Sequence, residues 1–169
     1  MRASLLALLL LIAGAASAFP PQGEMFPRLK APDVAGKQQD LYALLGEAEG
    51  PTLVVMITHR GAGDRMRAWY EEADRRGAGA DRLSLVSVKA PFLVSESYAR
   101  SRAQQQVPKQ WWSRTLFDAS GKMSEALGLP ESKTPYVAVV NPDGTVRARV
   151  HAEVDSPEAA KIWEALGRR

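Results

Sequence analysis

The sequence predicts an α/β domain in three layers, a central mixed sheet with helices on both faces. Three observations lead there. Thr52-Leu-Val-Val-Met-Ile-Thr58 is an unbroken apolar, β-branched run, the pattern of a strand covered on both sides. Strand-like and helix-like segments alternate up to residue 128, which implies parallel crossovers. Beyond it, residues 136–140 and 146–150 flank Asn141-Pro-Asp-Gly144, a hairpin turn, so antiparallel strands complete the sheet.

The elements follow in order. Residues 19–33 contain Pro20, Pro21, Pro27 and Pro32 and read as an extended lead-in. Residues 37–45 read as a short helix with Leu41, Leu44 and Leu45 on one side, broken by the stretch from Gly46 to Pro51. After the 52–58 strand, His59-Arg-Gly-Ala-Gly-Asp64 forms a turn. Met66, Trp69, Tyr70 and Ala73 then recur at helical spacing until Gly77-Ala-Gly-Ala80. Leu83, Leu85, Val86 and Val88 mark a second core strand. Residues 95–106 form a polar helix that stops before Pro108. A short strand at 115–117 and a turn at 118–121 lead to a brief helix carrying Met123, Ala126 and Leu127. The final helix opens at Ser156-Pro157-Glu158, with Ser156 as the cap and Pro157 at the first helical position, and carries Ala159, Ile162, Trp163 and Leu166.

Composition narrows the function. The chain has 169 residues, 46% hydrophobic, which suits one domain at 19–169 with its own core. Its net charge of +3 is spread among alternating signs, as in Asp74-Arg75-Arg76 and Asp81-Arg82, with no basic run interleaved with aromatics. This argues against nucleic-acid binding. Residues 1–18 read as a signal peptide: Arg2, an apolar run at 5–13 and the cleavage site Ala16-Ser17-Ala18. The run is too short for a stable membrane span, so the expected location is periplasmic or secreted. There is no cysteine, which excludes disulfides and a lipidated cleavage-site cysteine.

Four features together resemble the thioredoxin-like superfamily, in its TlpA-like and peroxiredoxin-like branches. They are the lead-in Phe26-Pro27-x-Leu29-x-Ala31-Pro32 with Gly36-Lys37, the 52–58 strand, Thr134-Pro135 before the 136–140 strand, and the 141–146 hairpin. The likeness spans about residues 26–168. A fainter one, through the Phe-Pro lead-in, Met66-x-x-Trp69 and the hairpin, links the chain to the ATP-synthase assembly-factor family. The resemblance implies that Gly61, Ala62, Gly63 and Asp64 stand where a C-x-x-C motif would sit, and that Pro135 is a cis proline facing them. Disulfide exchange and peroxide reduction need a thiolate, and neither glycine nor aspartate supplies one.

No catalytic residue, metal or cofactor is therefore assigned. The residues expected at a ligand or partner site are His59, Arg60, Arg65, Pro135, Trp111 and Trp112, with Asp64 as a helix cap. His59 and His151 are the only histidines and are far apart in sequence, which is no metal signature. Three readings remain open: a redox-inactive binding or assembly module with a protein partner, a cysteine-independent enzyme using His59, Arg60 and Asp64, and a small-anion carrier at residues 61–65 with Arg67 adding charge.

Overall fold

The computed structural model describes residues 19–167. The expected signal peptide lies outside them. The elements are β1 (Lys30–Pro32), β2 (Gln38–Asp40), α1 (Leu41–Gly46), β3 (Thr52–Ile57), α2 (Gly63–Arg75), β4 (Asp81–Ser87) and α3 (Glu96–Gln106). They continue with β5 (Thr115–Asp118), α4 (Lys122–Ala126), β6 (Tyr136–Val140), β7 (Val146–His151) and α5 (Ala160–Gly167). Five strands form the main sheet in the order β5-β4-β3-β6-β7. β4 runs parallel to β3 and β5, while β6 runs antiparallel to β3 and β7.

Strand alternation divides the core in two. Val54 and Met56 of β3 and Tyr136, Ala138 and Val140 of β6 face one side, where Phe26, Leu41, Leu45 and Met123 cover them. Leu53, Val55 and Ile57, with Val137 and Val139, face the other side, against Met66, Trp69 and Ala73 of α2 and Ile162 and Leu166 of α5. All six β3 side chains are buried, as expected for a strand covered on both faces. Trp69 is fully buried, donates from Nε1 to the Ala152 carbonyl at 3.3 Å, and lies 5.2 Å from the Trp163 ring. No helix among the described residues is long and apolar enough to cross a membrane.

Three local expectations need correction. The helix placed at 37–45 begins only at Leu41. Gln38–Asp40 is extended instead, because it pairs antiparallel with Lys30–Pro32, and Asp40 caps α1 by accepting from the Tyr42 N–H at 2.9 Å. The lead-in is thus not wholly irregular. Ser156 does not cap the last helix: its hydroxyl accepts nothing from the first turn, and Oγ is buried without a partner. A turn of 3-10 helix, Pro157–Ala159, precedes α5 and displaces the cap geometry.

Candidate functional site

β3 ends beside the start of α2, and this corner is built by hydrogen bonds from three directions. His59 is extended, and its Nδ1 accepts from the Gly61 N–H at 2.9 Å, capping the 3-10 turn Arg60–Ala62. That bond puts the proton of the neutral ring on Nε2, which lies 3.9 Å from Glu131 Oε1. A Cβ at Gly61 would meet His59 Nδ1 at 3.1 Å and Cε1 at 3.2 Å, so the capping ring would have to give by a few tenths of an ångström.

Asp64 is not the cap. The intervening 3-10 turn moves the cap position of α2 to Ala62, which has no acceptor. Asp64 sits in the first helical turn, exposed, and pairs with Arg67 at 3.0 Å. Its charge still suits the helix N-terminus.

The facing wall is the segment before β6. Thr58 Oγ1 donates to the Pro130 carbonyl at 3.0 Å and accepts from the Ser132 N–H at 2.8 Å. The Tyr136 hydroxyl, its ionisation opposed by burial, donates to the same carbonyl at 3.0 Å. Ser132 Oγ accepts from the Thr134 N–H at 3.0 Å and lies 2.9 Å from His151 Nε2, which is also 3.1 Å from the Thr134 carbonyl. In the tautomer that satisfies the Thr134 carbonyl, His151 donates from Nε2. The imidazole stacks on Tyr136 with ring centroids 4.0 Å apart.

A side-chain bridge joins the two walls. Arg65 Nε donates to Glu153 Oε1 at 2.9 Å, Thr134 Oγ1 donates to the same oxygen at 3.1 Å, and Arg65 Nη1 reaches the Gly61 carbonyl at 3.5 Å. Arg65 and Glu153 are 42% and 40% exposed, so the bridge contributes under about 1 kcal/mol and orients more than it stabilises. Pro135 is buried, directly before Tyr136, which pairs with Met56 near the end of β3. Its bond is trans, not the expected cis: among the described residues no peptide bond is cis. Trans is favoured by about 0.5–1 kcal/mol before proline.

The expected site residues do not all meet. His59, Arg60, Gly61, Ala62, Gly63, Asp64, Arg65 and Pro135 share this corner. Trp111 and Trp112 lie at the other end of the sheet, on the 3-10 segment Lys109–Arg114 that leads into the first residue of β5. Because β5 and β4 are parallel to β3, the start of β5 is opposite the corner. There Trp111 packs under Arg82 at 5.1 Å, and Trp112 Nε1 donates to the Val107 carbonyl at 2.9 Å. Both are half-buried and lie outside the corner.

Thr58, Glu131, Ser132 and Glu153 complete the corner without having been expected there. Their one sequence signal is the polar run Ser132-Lys-Thr134 leading directly into a buried strand, where backbone groups need partners. Of the cations at 59–67, Arg65 and Arg67 are paired with carboxylates, and Arg60 alone is exposed without a partner. These pairings weaken the small-anion reading. No group of three metal-ligating side chains occurs among the described residues.

The sheet order, the helices on both faces and the proline-bearing corner define a thioredoxin-like fold that carries no cysteine. Solved structures bear this out at low identity. The peroxidoxin BcpB of Mycobacterium tuberculosis matches 86% of this chain and 93% of its own, at 16% identity and a TM-score of 0.53. BsSco, of the Sco family of cytochrome c oxidase assembly proteins, matches 89% and 98%, at 13% identity and a TM-score of 0.59. The exposed lipoprotein thioredoxin of Streptococcus pneumoniae matches 85% and 100%, at 18% identity and a TM-score of 0.55. No family profile and no curated protein sequence matches the chain. It is a module of a redox fold without the redox residues.

Proposed function

We propose that the chain is an exported, redox-inactive binding or assembly module that contacts a protein partner through the corner around His59 and Arg60. The observation that carries this reading is the replacement of reactive positions by structural ones. Gly61 yields its space to the His59 cap, Asp64 pairs outward, and Arg65 is tied to Glu153. The corner remains ordered and accessible, with Arg60 free, but holds no thiol. Solved neighbours include a cytochrome c oxidase assembly protein and an exposed lipoprotein, which supports a role of this kind outside the cytoplasm.

Two measurements test it together. Disulfide reduction with a dithiol and hydroperoxide consumption should both run at the buffer rate. A photo-crosslinker replacing Arg60 should give one discrete adduct in cells, and the same probe at Asp143, on the hairpin at the far end of the sheet, should give none. Turnover abolished by His59→Ala, or equal adducts from both positions, would refute the reading.

A further inference from the structure

The cap of the Arg60–Ala62 turn is a titratable ring, not the usual hydroxyl, carboxylate or amide. Neutral, the His59 ring accepts the Gly61 N–H at Nδ1, 2.9 Å away, and presents Nε2 toward Glu131 Oε1 at 3.9 Å. We propose that this ring is a two-position pH latch. Neutral, it caps the turn at the start of α2; charged, it lets go of Gly61 and turns to Glu131.

The two positions follow from what the ring can donate and accept. A neutral imidazole has one accepting nitrogen, and an imidazolium has none. A proton added at Nδ1 would point at the Gly61 N–H, setting two donors face to face at 2.9 Å. The cap must therefore open on protonation. The same charge makes the ring a partner for the Glu131 carboxylate, which has no other ion pair among the described residues. The His59 side chain is 25% exposed and that of Glu131 75%, so neither is locked in the core.

Release loosens the turn without unfolding it. The Ala62 N–H still donates to the His59 carbonyl at 3.0 Å. Thr58, the preceding residue, stays tied through its hydroxyl to the Pro130 carbonyl and the Ser132 N–H. What gives way is the peptide between Arg60 and Gly61.

Charges reach the ring from each part of the corner. Arg60 follows it in the turn. On α2, Arg65 is matched by Glu153 and Arg67 by Asp64. The facing segment brings Glu131 and Lys133. β7 brings His151, whose Nε2 is engaged with Ser132 and Thr134. Arg60 and Lys133 oppose a charge on His59, and Glu131 is the carboxylate within ion-pair reach of Nε2. Imidazole changes charge between about pH 5 and 8, so a mild pH change is enough to move such a latch. The consequence rests on the function proposed above: Arg60 is the exposed cation of that contact, and the peptide that positions it is the one His59 holds or releases.

The test reads the chain as recovered from cells, free of any partner, by nuclear magnetic resonance from about pH 8 to 5. The latch can thus fail while the partner contact stands, and the reverse. At the upper end the neutral His59 ring should carry its proton on Nε2. As pH falls, the Gly61 amide proton should move upfield as its hydrogen bond is lost, with the same midpoint as the His59 ring. His59→Asn keeps a side-chain oxygen that accepts two residues on, so its Gly61 amide should stay in place across the range. His151→Asn should leave the Gly61 response intact, and Glu131→Gln should move the midpoint to lower pH. A Gly61 amide that ignores pH, or a neutral ring protonated on Nδ1, would overturn the proposal. So would a response that survives in His59→Asn or vanishes in His151→Asn, or an unchanged midpoint in Glu131→Gln.

Discussion

Where β4 begins, arginines are drawn into the fold; where β3 ends, they lie on its surface. Arg114 is 12% exposed, donates to the Leu44 carbonyl at 2.7 Å and the Arg82 carbonyl at 3.1 Å, and pairs with Asp81. Arg82 pairs with Asp74 and lies between the rings of Tyr70 and Trp111, at 5.3 and 5.1 Å. At the other end, Arg65 and Arg67 are 42% and 60% exposed, and Arg60 has no partner. The same residue type therefore does different work at each end. Desolvated guanidiniums that satisfy backbone carbonyls hold elements together, while hydrated ones leave the corner accessible at little stabilisation.

The contrast is sharpened first by truncation. Arg114→Ala should destabilise by about 3 kcal/mol in urea titration, because it strands two carbonyls and the Asp81 carboxylate. Arg65→Ala should change stability by less than about 1 kcal/mol. Equal losses would break the distinction between the ends.

Tyr70 gives a subtler reading of the same end. Its hydroxyl donates to the Leu83 carbonyl at 3.1 Å and lies 2.8 Å from Ser84 Oγ, and burial pushes its ionisation well above the ordinary value of 10.0. Tyr70→Phe should cost about 1–2 kcal/mol at pH 7. A raised folded pKa stabilises fully below the unfolded value and loses that effect as pH rises. Above pH 10 the native chain should therefore lose about 1.4 kcal/mol more per pH unit than the phenylalanine variant. Parallel curves would show that the phenol is not shielded.

Asp118, at the corner end of the sheet, has the opposite sign. Burial alone would raise its pKa, but bonds from the Met123 and Ser120 N–H groups and the Ser120 and Ser87 hydroxyls outweigh this and hold it below 3.8. Its contribution is present above the unfolded pKa and is lost as pH falls below that value through the lower folded pKa. Asp118→Asn should thus cost about 1 kcal/mol at pH 7, and the gap should close below about pH 4. A gap independent of pH would mean that charge is irrelevant there.

The sheet was legible because long apolar runs between breakers have few other uses, as at residues 52–58 and 136–140. The corner was legible only in place. That Gly61 accommodates a histidine cap could not be read, because nothing local marks His59 as an acceptor for the Gly61 N–H. Asp64 looked like a cap because Asp is a good one; the 3-10 turn that shifts the helix start is a backbone choice without a residue signature. Gln38–Asp40 reads as helix in the sequence because its pairing partner, Lys30–Pro32, lies across a turn. That the tryptophan pair lies at the opposite end from the corner follows from strand direction, which only sheet order supplies.

Restoring the missing atoms tests the central claim, that this corner is a redox corner without its sulfurs. Gly61→Cys/Asp64→Cys places thiols one turn apart at the α2 start, with the His59 ring moving aside. Thiol titration and intact mass under air should then show one intramolecular disulfide per chain, reducible by dithiol. Two persistently free thiols in a folded double variant, or crosslinked dimers alone, would contradict the account.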